Sequence, residues 1–167
     1  AGWLMIYSYI RNYFNGSFGV FGIEAVLLEK QNPHLILGKT IEPLMVPQEK
    51  YEMEGMIPRV IFPSGAIVHQ DQLHIYYGAA DTSCALATCD VEKLLEELRQ
   101  PPHEKHTSTY VLKFQRFTEN PIIIPIPELD WQAMGTFNPA AIYLEDRVHI
   151  LYRAQAKDGT STIGYAA

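Results

Sequence analysis

The sequence predicts an all-β fold, and three observations support this prediction. Most of the 167 residues fall into short segments rich in β-branched and aromatic side chains, separated by turn-forming residues. Only residues 90–100 show the apolar spacing that an amphipathic helix requires. Residues 73–79 and 148–154 share one pattern, and each segment follows an acidic turn. Repeated strand–turn–strand units with little helix are typical of propellers, sandwiches and barrels.

The elements follow in order from the positions of the turn residues. The predicted strands cover residues 3–9, 19–29, 60–62, 66–69, 73–78, 84–89, 110–117, 140–144, 148–153 and 162–166. Acidic or glycine-containing turns at 70–72, 144–147 and 157–160 join neighbouring strands into hairpins. The helix is expected to begin after Asp90, a favourable N-cap, and to end before Pro101.

Composition excludes several classes of protein. The chain is 47% apolar and carries 13 Lys and Arg against 19 Asp and Glu, so it can build a core but has no basic stripe for nucleic acid. No run of eighteen apolar residues is present, so we expect no membrane-spanning helix. The apolar start of the chain lacks the features of a signal peptide. Two cysteines are too few for a disulfide framework, which favours a cytoplasmic location.

Five short motifs carry a family resemblance. Residues 58–65 read PRVIFPSG, residues 74–82 read HIYYGAADT, and residues 116–123 read RFTENPII. Residues 137–141 read FNPAA, and residues 149–154 read HILYRA. This set resembles the family-130 glycoside hydrolases and phosphorylases, the mannoside-processing five-bladed β-propellers. The resemblance implies a β-propeller, present here as partial modules.

The order of these motifs predicts the domain organisation. In the family, the NPAA…LYRA signature lies near the start of the module and the FPSG…YYGAADT signature near its end, whereas here the late signature comes first. We therefore expect residues 1–100 to be the C-terminal part of one module, 101–109 to be a linker, and 110–167 to be the first blade of a following module. Such a segment is expected to be inactive by itself and to self-associate through open blade edges.

Three residues are implied by the resemblance to bind sugar, namely Asp81, Asn138 and Arg153. The matching positions in the family lie at the sugar pocket, where a carboxylate, an amide and a guanidinium group suit hydroxyl or phosphate oxygens. Each has a structural alternative. Asp81 could cap its own turn, Asn138 could open a turn before Pro139, and Arg153 could be a surface ion-pair partner. The following proline is expected to hold Asn138 in an extended conformation.

Two further carboxylates are candidates for substrate binding. Glu52 lies in a YE…G pattern that precedes the FPSG motif in family members, and its alternative is a solvated loop carboxylate. Glu24 is the one charged residue in the apolar segment 20–28. A carboxylate on a buried strand face is costly unless it is paired or bound to a ligand, although Glu24 could also face solvent.

The reaction is predicted from one departure from the family pattern. Ser8 stands where mannoside phosphorylases typically carry a histidine that helps hold phosphate, and a neutral hydroxyl is a weak anchor for a dianion. This favours a β-mannoside hydrolase over a phosphorylase, although Arg11 could supply charge. Inorganic phosphate would be the co-substrate only of a phosphorylase, and no other cofactor is expected.

No catalytic residue is assigned, because the family's catalytic Asp lies downstream of the YRA…GYA segment with which this chain ends. The six histidines show no metal-binding spacing, so no metal is expected. The expected partner is a β-mannoside oligosaccharide. A non-catalytic carbohydrate-binding propeller and a purely structural propeller module are the alternatives.

Overall fold

The computed structural model describes residues 2–11, 19–100 and 112–167, which form three antiparallel sheets that we call blades. Blade A comprises β1 (Gly2–Arg11), β2 (Val20–Glu29) and β3 (Ile36–Lys39). Blade B comprises β4 (Ile61–His69), β5 (Gln72–Ala79), β6 (Ser83–Asp90) and β7 (Gln115–Arg116). Blade C comprises β8 (Gly135–Leu144), β9 (Arg147–Gln155) and β10 (Ser161–Ala166). The helical elements are α1 (Lys50–Met53), α2 (Val91–Arg99) and the 3-10 turn Asp130–Gln132.

The all-β prediction is confirmed, and so is the helix near residue 90. The Asp90 side chain accepts a hydrogen bond of 3.0 Å from the backbone N–H of Lys93, which caps α2 as expected. Several features differ from the prediction. Strand β3 was not predicted, and of the predicted strand 110–117 the described residues form a strand only at Gln115–Arg116. The short helix α1 was not predicted, because four residues are too few to show a helical period. Residues 60–62 and 66–69 do not form two strands, since β4 continues through a bulge between Pro63 and Gly65.

Blade B lies between the other two blades. Strand β4 contacts β1 and β2 on one side and β8 on the other. One apolar core lies between blades A and B and includes the buried face of α2; its fully buried members include Ile23, Ile61, Ile75, Leu94 and Leu98. A second core lies between blades B and C and comprises Tyr76, Cys84, Ile150, Tyr152 and Ala154. Side chains therefore alternate between two cores along β5, as expected for the middle layer of a stack.

Blade B is completed by residues that follow the predicted linker. Strand β7 pairs with β6 through Ala87 opposite Arg116 and Thr88 opposite Gln115. The chain then continues along β6, where the backbone N–H of Cys84 donates to the carbonyl of Ile123 at 2.9 Å. The predicted linker 101–109 lies outside the described residues, and the division into two modules stays a prediction. Among the described residues, however, the two parts share one sheet.

Candidate functional site

The candidate site lies at the junction of blades B and C, where β5 and β9 end and β8 begins. The turn from β5 to β6 carries Asp81, whose φ of 51° places it in the left-handed region together with Ala80. The Thr82 hydroxyl fastens this turn, because it donates to the carbonyl of Ala80 at 3.0 Å and accepts from the backbone N–H of Met56 at 2.9 Å. The Asp81 side chain is therefore presented from a turn with little freedom.

Gly55 explains why the YE…G pattern ends in glycine. A Cβ at this position would lie 2.5 Å from the carbonyl oxygen of Ala80 and 2.5 Å from the Thr82 hydroxyl. Only glycine lets the segment after α1 pack this closely against the turn between β5 and β6 that carries Asp81. The glycine of the YE…G pattern therefore helps to position the backbone of the turn that carries Asp81.

Asn138 faces the same junction from β8. Its φ of 54° shows that the prediction of an extended backbone before Pro139 was wrong. The reason is a bulge between Phe137 and Ala140, and Asn is one of the few residues that accept the left-handed conformation readily. The Asn138 side-chain oxygen lies 3.2 Å from where a Cβ of Gly78 would be, so that glycine makes room for the amide. Asn138 itself is exposed.

Arg153 reaches the junction from the end of β9. Its guanidinium carbon lies 4.9 Å from the centroid of the Phe137 ring, and its Nε donates to the Ser161 hydroxyl at 2.9 Å. Partial burial raises the pKa of the Asp81 carboxyl above its ordinary value, while the nearby Arg153 charge opposes that rise. The structure thus brings Asp81, Asn138 and Arg153 to one junction, which gives it a carboxyl, an amide and a guanidinium group.

Glu52 lies elsewhere and has a different environment. Its side chain is fully buried, and Arg116 donates to its two oxygens through Nε and Nη2, each at 2.8 Å. The Tyr77 hydroxyl donates to Oε1 at 2.8 Å, and the backbone N–H groups of Gln48 and Glu49 donate to Oε2. Glu52 is therefore neither a solvated loop carboxylate nor open to a sugar, and this geometry gives no support to a binding role.

The pKa of Glu52 shows how strongly this carboxylate is held. Burial by itself would raise that pKa, but the hydrogen bonds from Arg116, Gln48, Glu49 and Tyr77 outweigh it and hold the pKa below its ordinary value. The charged form is therefore the stable one inside the fold, as in a well-satisfied buried ion pair.

Sequence reasoning missed the partners of Glu52. Arg116 also donates to the carbonyl of Val46 at 2.7 Å, and the hydroxyls of Tyr51 and Tyr77 lie 3.2 Å apart. The Asn120 amide donates to the Tyr51 hydroxyl at 3.2 Å and to the carbonyl of Leu86 at 2.7 Å. Residues 116–123 stand out in the sequence only as a motif, and nothing in this motif shows which carboxylate Arg116 meets 64 positions earlier.

Glu24 lies on blade A, away from the B–C junction. It is 8% exposed and accepts a hydrogen bond of 2.6 Å from Tyr7, the residue opposite it on β1. Burial and the neighbouring carboxylate raise the pKa of Tyr7. The expectation that this carboxylate needs a partner thus agrees with the structure, but its pocket role stays a prediction. The nearby Ser8 hydroxyl is buried and has no hydrogen-bond partner.

The described residues include no candidate metal site and no exposed cysteine. That part of the chain holds no group of three or more His, Cys, Asp or Glu side chains arranged to hold a metal ion. Cys84 and Cys89 are free and buried, and burial raises the pKa of each thiol to about 12. None of the described helices is long and apolar enough to cross a membrane.

Comparison with known proteins identifies relatives for the first part of the chain. The profile of glycoside hydrolase family 130, described as β-1,4-mannooligosaccharide phosphorylase, matches residues 1–100. A β-1,2-mannobiose phosphorylase of Thermoanaerobacter sp. (strain X514) is 33% identical over 93 residues, which are 56% of this chain and 29% of the relative. A β-1,4-mannooligosaccharide phosphorylase of Ruminococcus albus is 32% identical over 100 residues, 59% of this chain and 29% of the relative. The chain thus spans less than a third of the length of these relatives.

Solved structures extend the similarity in fold. The β-1,2-mannobiose phosphorylase of Listeria innocua, solved with β-1,2-mannobiose, matches 58% of this chain and 26% of its own with a TM-score of 0.52 and 34% identity. A structure described as a glycoside hydrolase matches 98% of this chain and 40% of its own with a TM-score of 0.64 and 10% identity. The second match supports the fold alone, and together with the sheets above it confirms the β-propeller class.

Proposed function

Since the chain belongs to glycoside hydrolase family 130, we propose that it contributes part of the sugar-binding site of an enzyme that processes β-mannosides. One observation carries the proposal: Asp81, Asn138 and Arg153 lie at the same junction although they come from three different strand ends. A carboxyl, an amide and a guanidinium group at one partly exposed junction are not required to stabilise a purely structural module.

The three side chains suit sugar hydroxyls in complementary ways. The Asp81 carboxylate accepts hydrogen bonds, the Arg153 guanidinium donates them, and the Asn138 amide does both. Hydrogen bonds with a charged partner are the stronger kind, so Asp81 and Arg153 would supply most of the affinity. The raised pKa of Asp81 fits a carboxyl that is partly desolvated before a ligand arrives.

The type of reaction rests on two observations that point in opposite directions. Ser8 offers no charge to a phosphate, which favours hydrolysis, and its hydroxyl is buried. The relatives described above are named as phosphorylases, so the comparisons do not support that preference. We place phosphorolysis first, because a similarity over 93 to 100 residues outweighs one position. In a longer protein that contains this chain, turnover of a β-mannobiose should then require inorganic phosphate, and turnover without phosphate would favour hydrolysis.

Replacing Asp81 is expected to weaken sugar binding. Asp81→Asn keeps the shape of the side chain and tolerates the left-handed backbone, but it removes the charge. Binding of β-1,2- and β-1,4-mannobiose, measured by calorimetry, should weaken about tenfold or more, because a charge-assisted hydrogen bond is lost. Asp71→Asn is the matched control, since Asp71 is also a left-handed turn residue of blade B, with a φ of 61°. Equal affinities for the Asp81 variant and the native chain would contradict the proposal.

The 167-residue chain by itself is expected to show no turnover. Hydrolysis of a glycosidic bond needs a proton donor and a second carboxylate or an external nucleophile, and no catalytic acid is assigned in this chain. The assay supplies β-linked mannobiose with and without inorganic phosphate and follows free mannose and mannosyl phosphate. Turnover by the isolated chain that disappears in Asp81→Asn would show instead that these residues already form a working active site.

A non-catalytic carbohydrate-binding propeller is the second candidate. It would use the same three side chains, so the binding experiment cannot distinguish it from the enzyme. Binding without turnover in a longer protein, in the presence and absence of phosphate, would favour this candidate.

A further inference from the structure

The turn that carries Asp81 has an unfavourable backbone conformation. Ala80 and Asp81 both have a left-handed backbone, with φ values of 48° and 51°, and neither is a glycine. The hairpin turns at 70–71 and 145–146 also have positive φ values, which match the twist of the adjoining strands but are disfavoured for residues with a Cβ. The turn at 80–81 carries a candidate ligand, so the contacts that hold it in this conformation bear on the site.

A short segment between α1 and β4 holds this turn through its backbone. We call residues 54–60 the strap. The backbone N–H of Ile57 donates to the carbonyl of Ala80 at 3.1 Å, and the N–H of Ala80 donates back to a carbonyl of the strap at 2.8 Å. The strap is joined to α1 in turn, since the N–H of Arg59 donates to the carbonyl of Glu52 at 3.1 Å. The strap and the turn therefore form one hydrogen-bonded unit.

Thr82 joins this unit to blade C. Its hydroxyl accepts from the N–H of Met56 in the strap and donates to a carbonyl within the turn. Its backbone carbonyl accepts from the N–H of Thr136 at 2.9 Å. Thr136 lies on β8, two residues before Asn138. Thr82 therefore connects the turn that carries Asp81 with the strand that carries Asn138.

We propose that Thr82 is a positioning residue of the candidate sugar site, an inference that rests on the proposed function. Thr82 holds the Asp81 side chain in place relative to Asn138 and thereby increases the affinity for the sugar. A carboxylate that is fixed before the ligand arrives loses little conformational freedom on binding. Contact between Thr82 and the sugar is not required, because the Thr82 hydroxyl already has a donor and an acceptor within the fold.

The environment of the Asp81 carboxyl agrees with this role. Partial burial raises the pKa of Asp81, and the nearby Arg153 charge opposes that rise. A turn that opened toward solvent would hydrate the carboxyl and return its pKa toward the ordinary value. The pKa of Asp81 is therefore a measure of how firmly the turn is held, and it needs no ligand.

The first test removes the Thr82 hydroxyl and keeps the shape of the side chain. Thr82→Val should bind β-1,2- and β-1,4-mannobiose about fivefold to tenfold more weakly in calorimetry, because a hydrogen bond that holds the turn is lost. Thr82→Ser restores the hydroxyl and should recover most of the affinity. Thr88→Val is the matched control, since Thr88 lies further along β6, opposite Gln115, and should bind like the native chain.

A double variant separates positioning of Asp81 from a general effect on the fold. Thr82→Val should add little to the loss caused by Asp81→Asn, because Thr82 acts through Asp81 and the two losses are then not additive. Additive losses would overturn the inference, and so would native affinity in Thr82→Val beside weakened binding in Asp81→Asn. Native affinity in Asp81→Asn would overturn the proposed function instead.

An NMR titration of the Asp81 carboxyl tests the positioning without a ligand, and it decides the question if the isolated chain binds no sugar. The pKa should stay raised in the native chain and in Thr82→Ser, and it should fall toward its ordinary value in Thr82→Val. Circular dichroism confirms that each variant is folded. An unchanged pKa of Asp81 in Thr82→Val would overturn the inference, because the backbone contacts of the strap would then hold the turn without the Thr82 hydroxyl.

Discussion

Replacing Arg116 with methionine should destabilise the protein by about 3–5 kcal/mol, the loss expected when one partner of a buried ion pair is removed. The variant would leave the fully buried Glu52 carboxylate without the two hydrogen bonds of 2.8 Å that Arg116 supplies. Domains of this size have a free energy of unfolding of about 5–15 kcal/mol, so the loss is a large part of the total. Urea unfolding followed by circular dichroism measures it.

Two further variants show that the loss comes from the uncompensated carboxylate. Lys113→Met removes a cation from the same segment, but its ammonium group makes one hydrogen bond, to the carbonyl of Pro43, and should cost about 1 kcal/mol. The double variant Glu52→Leu with Arg116→Met removes the buried charge as well and should be more stable than Arg116→Met by itself. If Arg116→Met and Lys113→Met lose the same small free energy, the ion pair between Arg116 and Glu52 contributes little to the stability of the fold.

Replacing Gly38 with alanine should be the second most damaging single change. A Cβ at this position would overlap the backbone carbonyl of Leu98, near the end of α2. A backbone atom cannot rotate away as a side chain can, so either β3 or α2 must move, and this disturbs the packing between β3 and α2 beside the core between blades A and B. Overpacking of this kind costs about 1–3 kcal/mol and occasionally more, and we expect the upper part of that range.

Gly159→Ala is the matched control for this steric effect. Gly159 has a φ of 85°, but a Cβ there would meet nothing within 4 Å, so the variant introduces backbone strain without crowding. Its cost should be about 1–2 kcal/mol. Thermal unfolding of both variants compares the two effects, and a Gly38→Ala variant that is as stable as Gly159→Ala would show that α2 is not packed against β3 as closely as described.

Local sequence predicted the elements of this fold well, for physical reasons. Strands such as β1 and β9 are rich in β-branched and aromatic residues, and their ends coincide with turn residues. The helix α2 carries its own N-cap and its own apolar spacing. Each of these signals lies within about ten neighbouring residues, so it can be recognised from the sequence without knowledge of the tertiary structure. The family resemblance is equally a property of the sequence, because its motifs are short and contiguous.

The candidate site was predicted only as a set of residue names. That Asp81, Asn138 and Arg153 meet at one junction depends on how blade C packs against blade B, which no local pattern encodes. The left-handed backbone of Asn138 likewise follows from a bulge in the pairing of β8 with β9, and this outweighed the preference of a residue before proline.

The sequence by itself determined the all-β class, the helix, the family and the candidate residues of this protein. Only the tertiary structure decided that β7 completes blade B and that Glu52 is the buried partner of Arg116. The physical reason is the separation along the chain: strand propensity and capping act between near neighbours, whereas ion pairs and sheet edges are chosen by packing among residues tens of positions apart. A carboxylate that looks like a ligand in the sequence can therefore prove to hold two distant segments together.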